Sequence, residues 1–165
     1  MAMTDALTGL PNRRLFFDRL DQALRLAQRD HSRIALLLID LDRFKDVNDT
    51  RGHHTGDLLL EEVGARLHST VRQSDTVARL GGDEFAALLP VTGLTGARRT
   101  ARALLACLHE AMTLDGHDVS VGIAVYPDHG GDARTLLRHA DAAMYGAKHS
   151  RRGRAPYRPP PDRLS

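Results

Sequence analysis

The chain has 165 residues, of which 42% are hydrophobic and 27% charged, and its formal net charge is only +2. These values are typical of one soluble globular domain. No run approaches the roughly 18 apolar residues of a membrane span, the amino terminus lacks a signal-peptide pattern, and the single cysteine, Cys107, has no disulfide partner. We therefore expect a cytoplasmic domain that makes no membrane contact of its own.

Hydrophobic spacing predicts alternating helices and short strands. In chain order we predict a helix over 14–29, a strand over 33–40, a helix over 56–71, a hairpin of strands over 76–80 and 85–90, a helix over 96–112, a strand over 117–127 and a helix over 132–148. From Ile34 to Tyr126 the order is β-α-β-β-α-β, the split βαβ arrangement, with its own helices on one face of the sheet. The predicted class is α+β, with a central, mostly antiparallel sheet surrounded by helices.

The last eleven residues, 155–165, form an Arg/Pro-rich tail that we predict to be disordered, after a single domain over 1–154. Successive prolines forbid a helix, and little apolar surface remains to be buried. The alternative, a basic arm that binds nucleic acid, is disfavoured because the chain has no tryptophan and only 4% aromatic residues. We expect no nucleic-acid partner.

Two glycines and two carboxylates in RLGGDEF (79–85) interrupt an otherwise β-forming stretch. In the predicted topology the third strand lies between the first two, so this turn should meet the end of the first strand, with Asp40 beside Asp83 and Glu84. Three adjacent carboxylates raise each other's pKa unless a cation neutralises them, and hard oxygen ligands suit Mg²⁺ or Mn²⁺. A Gly-Gly-Asp turn standing alone would indicate only a hairpin.

The segment DLDRFKDVNDTRGHHTGD (40–57) is predicted as a polar connection between the first strand and the next helix. Its side chains include Lys45, Asn48, His53 and Asp57, more polar groups than a connection requires. A cationic side chain, loop N–H groups and metal-binding carboxylates together suit the phosphates of a nucleoside triphosphate. Taken singly, Asn48 would be interpreted as a turn residue and Asp57 as a helix cap.

Four blocks of sequence, in order, resemble the GGDEF family of diguanylate cyclases. They are DALTGLPNRR (5–14), the segment 40–57, RLGGDEF (79–85), and VSVGIAV (119–125) followed by ADAAMYGAK (140–148). The resemblance covers residues 3–154 and implies a nucleotide-cyclase-like fold. Enzymes of this family condense two GTP molecules into cyclic di-GMP and release pyrophosphate.

The resemblance implies roles for individual residues. Asp40, the backbone carbonyl of Leu41 and Asp83 would hold Mg²⁺ or Mn²⁺, with two ions per active site. Asp83 or Glu84 would be the general base, and sequence does not separate these coupled neighbours. The residues implied to bind GTP are Gly81 and Gly82 in the turn, Asn48 and Asp57 at the guanine edge with His53 close by, and Lys45, Lys148 and Arg152 at the phosphates.

Each domain of this kind binds one GTP, so catalysis would require a homodimer with two-fold symmetry. RQSD (72–75) matches the RxxD motif of the family's inhibitory site, which implies that Arg72 and Asp75 bind cyclic di-GMP and that the enzyme is inhibited by its product. Without the family spacing, the same two residues would be interpreted as a surface ion pair.

The sequence departs from the family pattern at Arg151 and Gly153, which makes the assignment of Lys148 safer than that of Arg152. It also departs at Arg51, where an aromatic residue is usual, and this change has no physical explanation. Family members usually carry a sensor or dimerising segment before this domain. The chain is therefore expected to be part of a longer sensor protein or to dimerise by other means. The alternative function is a catalytically inactive GGDEF domain that serves as a binding module for GTP or cyclic di-GMP.

Overall fold

A computed structural model describes residues 2–42, 44–111 and 119–151, with the backbone alone for Lys45, Ala111, Ser150 and Arg151. The helices are α1 (Arg13–Asp30), α2 (Phe44–Arg51), α3 (His53–Thr70), α4 (Leu94–Ala111) and α5 (Ala133–Arg151), and the strands are β1 (Ile34–Leu41), β2 (Thr76–Gly81), β3 (Glu84–Pro90) and β4 (Val119–Tyr126). Within the described ranges, no helix is long and apolar enough to cross a membrane.

The four strands form one sheet in the order β2-β3-β1-β4. All three neighbouring pairs are antiparallel, and β3 lies between β2 and β1. This is the predicted βαββαβ arrangement, and it brings the end of β1 to the same edge of the sheet as the hairpin between β2 and β3.

Two hydrophobic cores lie on opposite faces of the sheet, because successive side chains of a strand point to opposite faces. Leu37 and Ile39 of β1 belong to a core with residues of α3 and α4. Leu36 and Leu38 belong to a second core with residues of α1 and α5. Burial on both faces explains the unbroken apolar run of β1, and it confirms that helices surround the sheet.

Residues 44–51 and 53–57 of the segment 40–57 are helical, so its prediction as a polar connection is wrong. It forms α2 and, from His53, the first turn of α3, which begins three residues before the predicted start at 56. Phe44 and Val47 are buried and lie one turn apart, so α2 packs one apolar side against the domain while Asp46 and Asp49 are exposed.

Candidate active site

The end of β1 meets the β2–β3 hairpin at one edge of the sheet, as the sequence predicts. The Cα atom of Asp40 lies opposite that of Glu84 on β3 and that of Ser120 on β4. The amide of Leu41 donates a hydrogen bond of 3.1 Å to the carbonyl oxygen of Asp83. Residues directly opposite on antiparallel strands share a face, so Asp40 and Glu84 lie on the side of the sheet that α1 and α5 cover.

The hairpin turn has a backbone that favours glycine. Gly81 has a φ of 150° and Gly82 a φ of 49°, and a Cβ atom at either position would meet no atom within 4 Å. Glycine is therefore required by the backbone conformation, and the space beside the turn is open to a ligand.

The Arg79 side chain holds this turn through hydrogen bonds. Its Nε and Nη2 atoms donate to the carbonyl oxygen of Gly82 at 3.0 and 2.8 Å. Its Nη1 atom donates to the carboxylate of Asp5 at 3.1 Å. Because three donors of one planar guanidinium are engaged on two segments, the turn and the amino-terminal segment are held in one arrangement.

Lys148 of α5 reaches into the site from the neighbouring helix. Its Nζ atom lies 3.4 Å from Oδ2 of Asp40 and 3.3 Å from Oδ1 of Asp42. Asp42 is fully buried and accepts a hydrogen bond of 2.7 Å from the hydroxyl of Ser120. Lys148 therefore lies beside Asp40 and Asp42, where its ammonium neutralises part of the acidic charge, and its implied role at the phosphates stays a prediction.

Burial, and after it the negative charge of Asp83, raise the pKa of the Asp40 carboxyl to about 6, although the Lys148 ammonium opposes the shift and Asp42 adds to it. The contribution of Asp83 is the repulsion between carboxylates that the sequence predicted for Asp40. Binding of a cation beside Asp40 would favour the ionised form of its carboxyl.

Among the described residues, no group of three or more His, Cys, Asp or Glu side chains is arranged as a metal site. The implied ligand set is smaller, since it consists of the two carboxylates of Asp40 and Asp83 and the carbonyl of Leu41. Mg²⁺ is commonly held by one or two carboxylates, with water and substrate phosphates completing the shell. These hard oxygen donors, brought together where the Leu41 amide bonds the Asp83 carbonyl, fit such an ion.

Asn48 and Asp57 lie on the two helices that replace the predicted connection. Asn48 is inside α2, so it is not a turn residue. Asp57 is inside α3, whose N-cap is Gly52 with no side-chain cap, so it is not a helix cap. Both alternative interpretations are wrong, and the guanine-binding assignment of Asn48 and Asp57 stays a prediction.

Gly56, in the first turn of α3, faces the Asn48 side chain. A Cβ atom at this position would overlap Oδ1 of Asn48 and lie 3.2 Å from the ring of Phe44. The absence of a side chain at Gly56 therefore admits the Asn48 amide to its place beside α3. His53 and Asp57 are exposed on the same helix.

Two of the residues implied to bind phosphate fall outside the described side chains. The side chain of Lys45 and all of Arg152 lie outside the described residues, as do Gly153 and the predicted tail over 155–165. Their assignments remain predictions.

Arg72 and Asp75 form an ion pair, as the alternative interpretation predicted. Nη2 of Arg72 lies 3.2 Å from Oδ1 of Asp75, and the amide of Arg72 donates to Oδ2 at 2.9 Å. Nη2 also donates to the hydroxyl of Thr92 at 3.0 Å. The Asp75 side chain is only 2% exposed, whereas that of Arg72 is 62% exposed. In this arrangement Asp75 holds the guanidinium of Arg72 at the surface, and the binding of cyclic di-GMP by the two residues stays a prediction.

Three residues at the site, Asp42, Arg79 and Ser120, were not singled out by the sequence. Its spacing could have indicated Asp42, because a residue two positions after Asp40 lies on the same side of an extended strand. Arg79 and Ser120 contact partners 74 and 78 positions away, Asp5 and Asp42. No local pattern indicates contacts at such separations.

Comparison with known proteins identifies the family of the chain. A family model described as "Diguanylate cyclase, GGDEF domain" matches residues 2–154. MucR of Pseudomonas aeruginosa, named a bifunctional diguanylate cyclase/cyclic di-GMP phosphodiesterase, is 48% identical over 152 residues, which are 90% of this chain and 22% of MucR. The diguanylate cyclase TpbB of the same species is 46% identical over 155 residues, which are 90% of this chain and 36% of TpbB. The chain corresponds to a part of each relative.

Solved structures show the same fold. The GGDEF domain of TpbB matches with a TM-score of 0.81 at 43% identity, and 89% of each chain is covered. The GGDEF domain of DgcB from Caulobacter crescentus, solved in complex with c-di-GMP, matches with a TM-score of 0.81 at 32% identity, and 93% of each chain is covered. GGDEF domains have the nucleotide-cyclase-like fold, so the predicted fold class is confirmed.

Proposed function

We propose that this chain, which belongs to the GGDEF domain family of diguanylate cyclases, condenses two GTP molecules into cyclic di-GMP and releases pyrophosphate. The observation that carries the proposal is the intact GGDEF turn, hydrogen-bonded through the Asp83 carbonyl to the end of β1, with Lys148 beside Asp40. The Lys148 ammonium beside Asp40, next to an open glycine turn, is suited to binding phosphoryl groups.

The reaction is a nucleotidyl transfer. In two successive transfers the 3′-hydroxyl of each GTP attacks the α-phosphorus of the other, and each transfer breaks the bond to one pyrophosphate, so two GTP give one cyclic di-GMP and two pyrophosphates. Asp83 or Glu84 accepts the hydroxyl proton. Lys148, with Lys45 and Arg152, holds the phosphates, and its positive charge stabilises the leaving group.

Enzymes of this family generally depend on a metal ion. In this chain Asp40, the carbonyl of Leu41 and Asp83 would hold Mg²⁺ or Mn²⁺, with two ions per site. The bound ions supply Lewis acidity, which lowers the pKa of the attacking hydroxyl and stabilises charge on the phosphoryl oxygens.

Substrate selection lies with α2 and α3. Asn48 and Asp57 would pair with the guanine edge, near His53, because the amide both donates and accepts and the carboxylate accepts from the guanine N1–H and amine. Each domain holds one GTP, so two domains must face each other as a homodimer for the reacting groups to meet.

Inhibition by product is part of the proposal. The exposed guanidinium of Arg72, oriented by Asp75, would bind cyclic di-GMP, and the relative DgcB is solved in complex with c-di-GMP. Thr76 begins β2 directly after Asp75, so the same strand joins this site to the catalytic turn.

The test is to incubate the protein at high concentration with GTP and Mg²⁺ and to quantify cyclic di-GMP and pyrophosphate. Asp83→Asn should reduce turnover by at least about 100-fold, because the shape is kept while the metal-binding charge is lost. Glu61→Gln, an exposed position on α3, is the matched control and should retain activity. Binding of GTP without turnover in the wild type would instead support the inactive binding module.

A further inference from the structure

Asp42 is a buried carboxylate that the proposed reaction does not use. Its side chain is 0% exposed, and its two oxygens face different partners. Oδ2 accepts the Ser120 hydroxyl at 2.7 Å, and Oδ1 lies 3.3 Å from Nζ of Lys148. These groups come from the end of β1, from β4 and from α5, so Asp42 joins three elements at the edge of the active site.

Lys148 is shared between two carboxylates of different character. Asp40 is one of the implied metal ligands, and its contact with Nζ is 3.4 Å. Asp42 has no exposure to solvent, whereas the Lys148 side chain is 29% exposed. A buried carboxylate depends strongly on its charged partner, because it has no water to replace that partner.

A metal ion at Asp40 would compete directly with the Lys148 ammonium for the same carboxylate. The ammonium would then lose Asp40 as a partner, but Asp42 would still hold it at the site. From there its remaining donors can turn to the phosphates that arrive with the ion.

We propose that Asp42 is a positioning residue: with Ser120 it retains the Lys148 ammonium while that group exchanges Asp40 for the substrate phosphates. The proposal rests on the function proposed above. It assigns Asp42 an effect through Lys148, and the two residues should therefore be energetically coupled in metal binding.

The test is a double-mutant cycle read out by Mn²⁺ binding without nucleotide, followed by electron paramagnetic resonance. Asp42→Asn should weaken Mn²⁺ binding about tenfold. Among the described residues, Lys148 would then have Asp40 as its one carboxylate partner. Its ammonium would therefore compete more strongly with the ion for the Asp40 carboxylate. In a Lys148→Met background the same Asp42→Asn change should alter binding by less than about threefold.

Equal effects of Asp42→Asn in the two backgrounds would overturn the proposal, since they would show that Asp42 acts only through its charge. Absence of Mn²⁺ binding in the wild type would overturn it as well. Failure of the proposed function is a separate result, namely Mn²⁺ binding and coupling without formation of cyclic di-GMP.

Ser120→Ala provides a second variant that keeps every charge. Loss of the hydroxyl should loosen Asp42 and shift Mn²⁺ affinity in the same direction by about threefold, with the KM for GTP raised more than kcat is lowered. If Ser120→Ala leaves both Mn²⁺ affinity and the KM for GTP unchanged, the proposed holding role is wrong, whether or not Asp42→Asn folds.

Discussion

Gly56→Ala is the sharpest structural test of the proposed guanine site, because it moves Asn48 without removing it. The new Cβ atom would overlap Oδ1 of Asn48 and lie 3.2 Å from the ring of Phe44. The buried ring has little room to move, whereas the amide is the free end of a side chain. We therefore expect the Asn48 amide to be displaced.

The magnitude follows from the hydrogen bonds that Asn48 would lose. Two neutral hydrogen bonds are worth about 0.5–1.5 kcal/mol each, which predicts a loss of about 1–3 kcal/mol in transition-state stabilisation, or about 5- to 150-fold in kcat/KM for GTP. The free energy of unfolding should change by less than about 1 kcal/mol, because alanine favours the helix by about that amount and the contact with Asn48 opposes it.

The assay is pyrophosphate release with GTP for Gly56→Ala, Asn48→Ala and the double variant, alongside thermal unfolding. The double variant should be no worse than Asn48→Ala, since alanine at position 48 leaves room for the new methyl group. Gly146→Ala is the control, because a Cβ atom there meets nothing within 4 Å. If Gly56→Ala keeps more than half of the wild-type kcat/KM, the assignment of Asn48 to the guanine edge is refuted.

Three further predictions concern substrate choice, regulation and stability. ATP should react with a kcat/KM on the order of 100-fold or more below that of GTP, because adenine leaves Asp57 without a donor; comparable rates would contradict this. Arg72→Ala should keep its initial rate while its progress curve at saturating GTP stays linear longer than that of the wild type, and identical curves would exclude an inhibitory role. Asp5→Asn should lower the free energy of unfolding at pH 7 by about 1–3 kcal/mol, in chemical denaturation. Burial raises the pKa of Asp5, but hydrogen bonds from Thr8 and the charge of Arg79 outweigh it, and the net pKa is lowered. The stabilisation is therefore present above the unfolded value and should be lost below about pH 4; a difference from wild type that is unchanged at pH 3 would contradict the assignment.

The fold could be predicted because its signals are local. The run that forms β1 is apolar at every position from Ile34 to Ile39, and burial on both faces is what such a run indicates. Helix α2 could not be predicted from pattern, because only Phe44 and Val47 mark its buried side and the rest of its residues are polar or charged. The burial of Phe44 and Val47 depends on how α2 packs against the rest of the domain.

The site could be predicted in part, for a similar reason. Topology alone brings Asp40 to the hairpin, and the structure confirms this position. The environment of Asp40 could not be predicted from spacing, since Lys148 lies 108 positions away in the sequence, on α5. The resemblance supplied Lys148 but not Asp42, whose importance becomes visible only once its burial and its contact with Ser120 are known.

Arg79 links the amino-terminal segment to the GGDEF turn. The carboxylate of Asp5 accepts from the amide and hydroxyl of Thr8 at 2.9 and 2.8 Å, so it is fixed before it meets Arg79. The amide of Arg79 donates to the Pro11 carbonyl at 3.1 Å, and its guanidinium joins Asp5 to Gly82. A displacement of the segment around Asp5 cannot therefore leave the Gly82 carbonyl in place without breaking charge-assisted hydrogen bonds, which are among the stronger ones in proteins. The position of the turn is set from outside the sheet as well as by the strands that flank it.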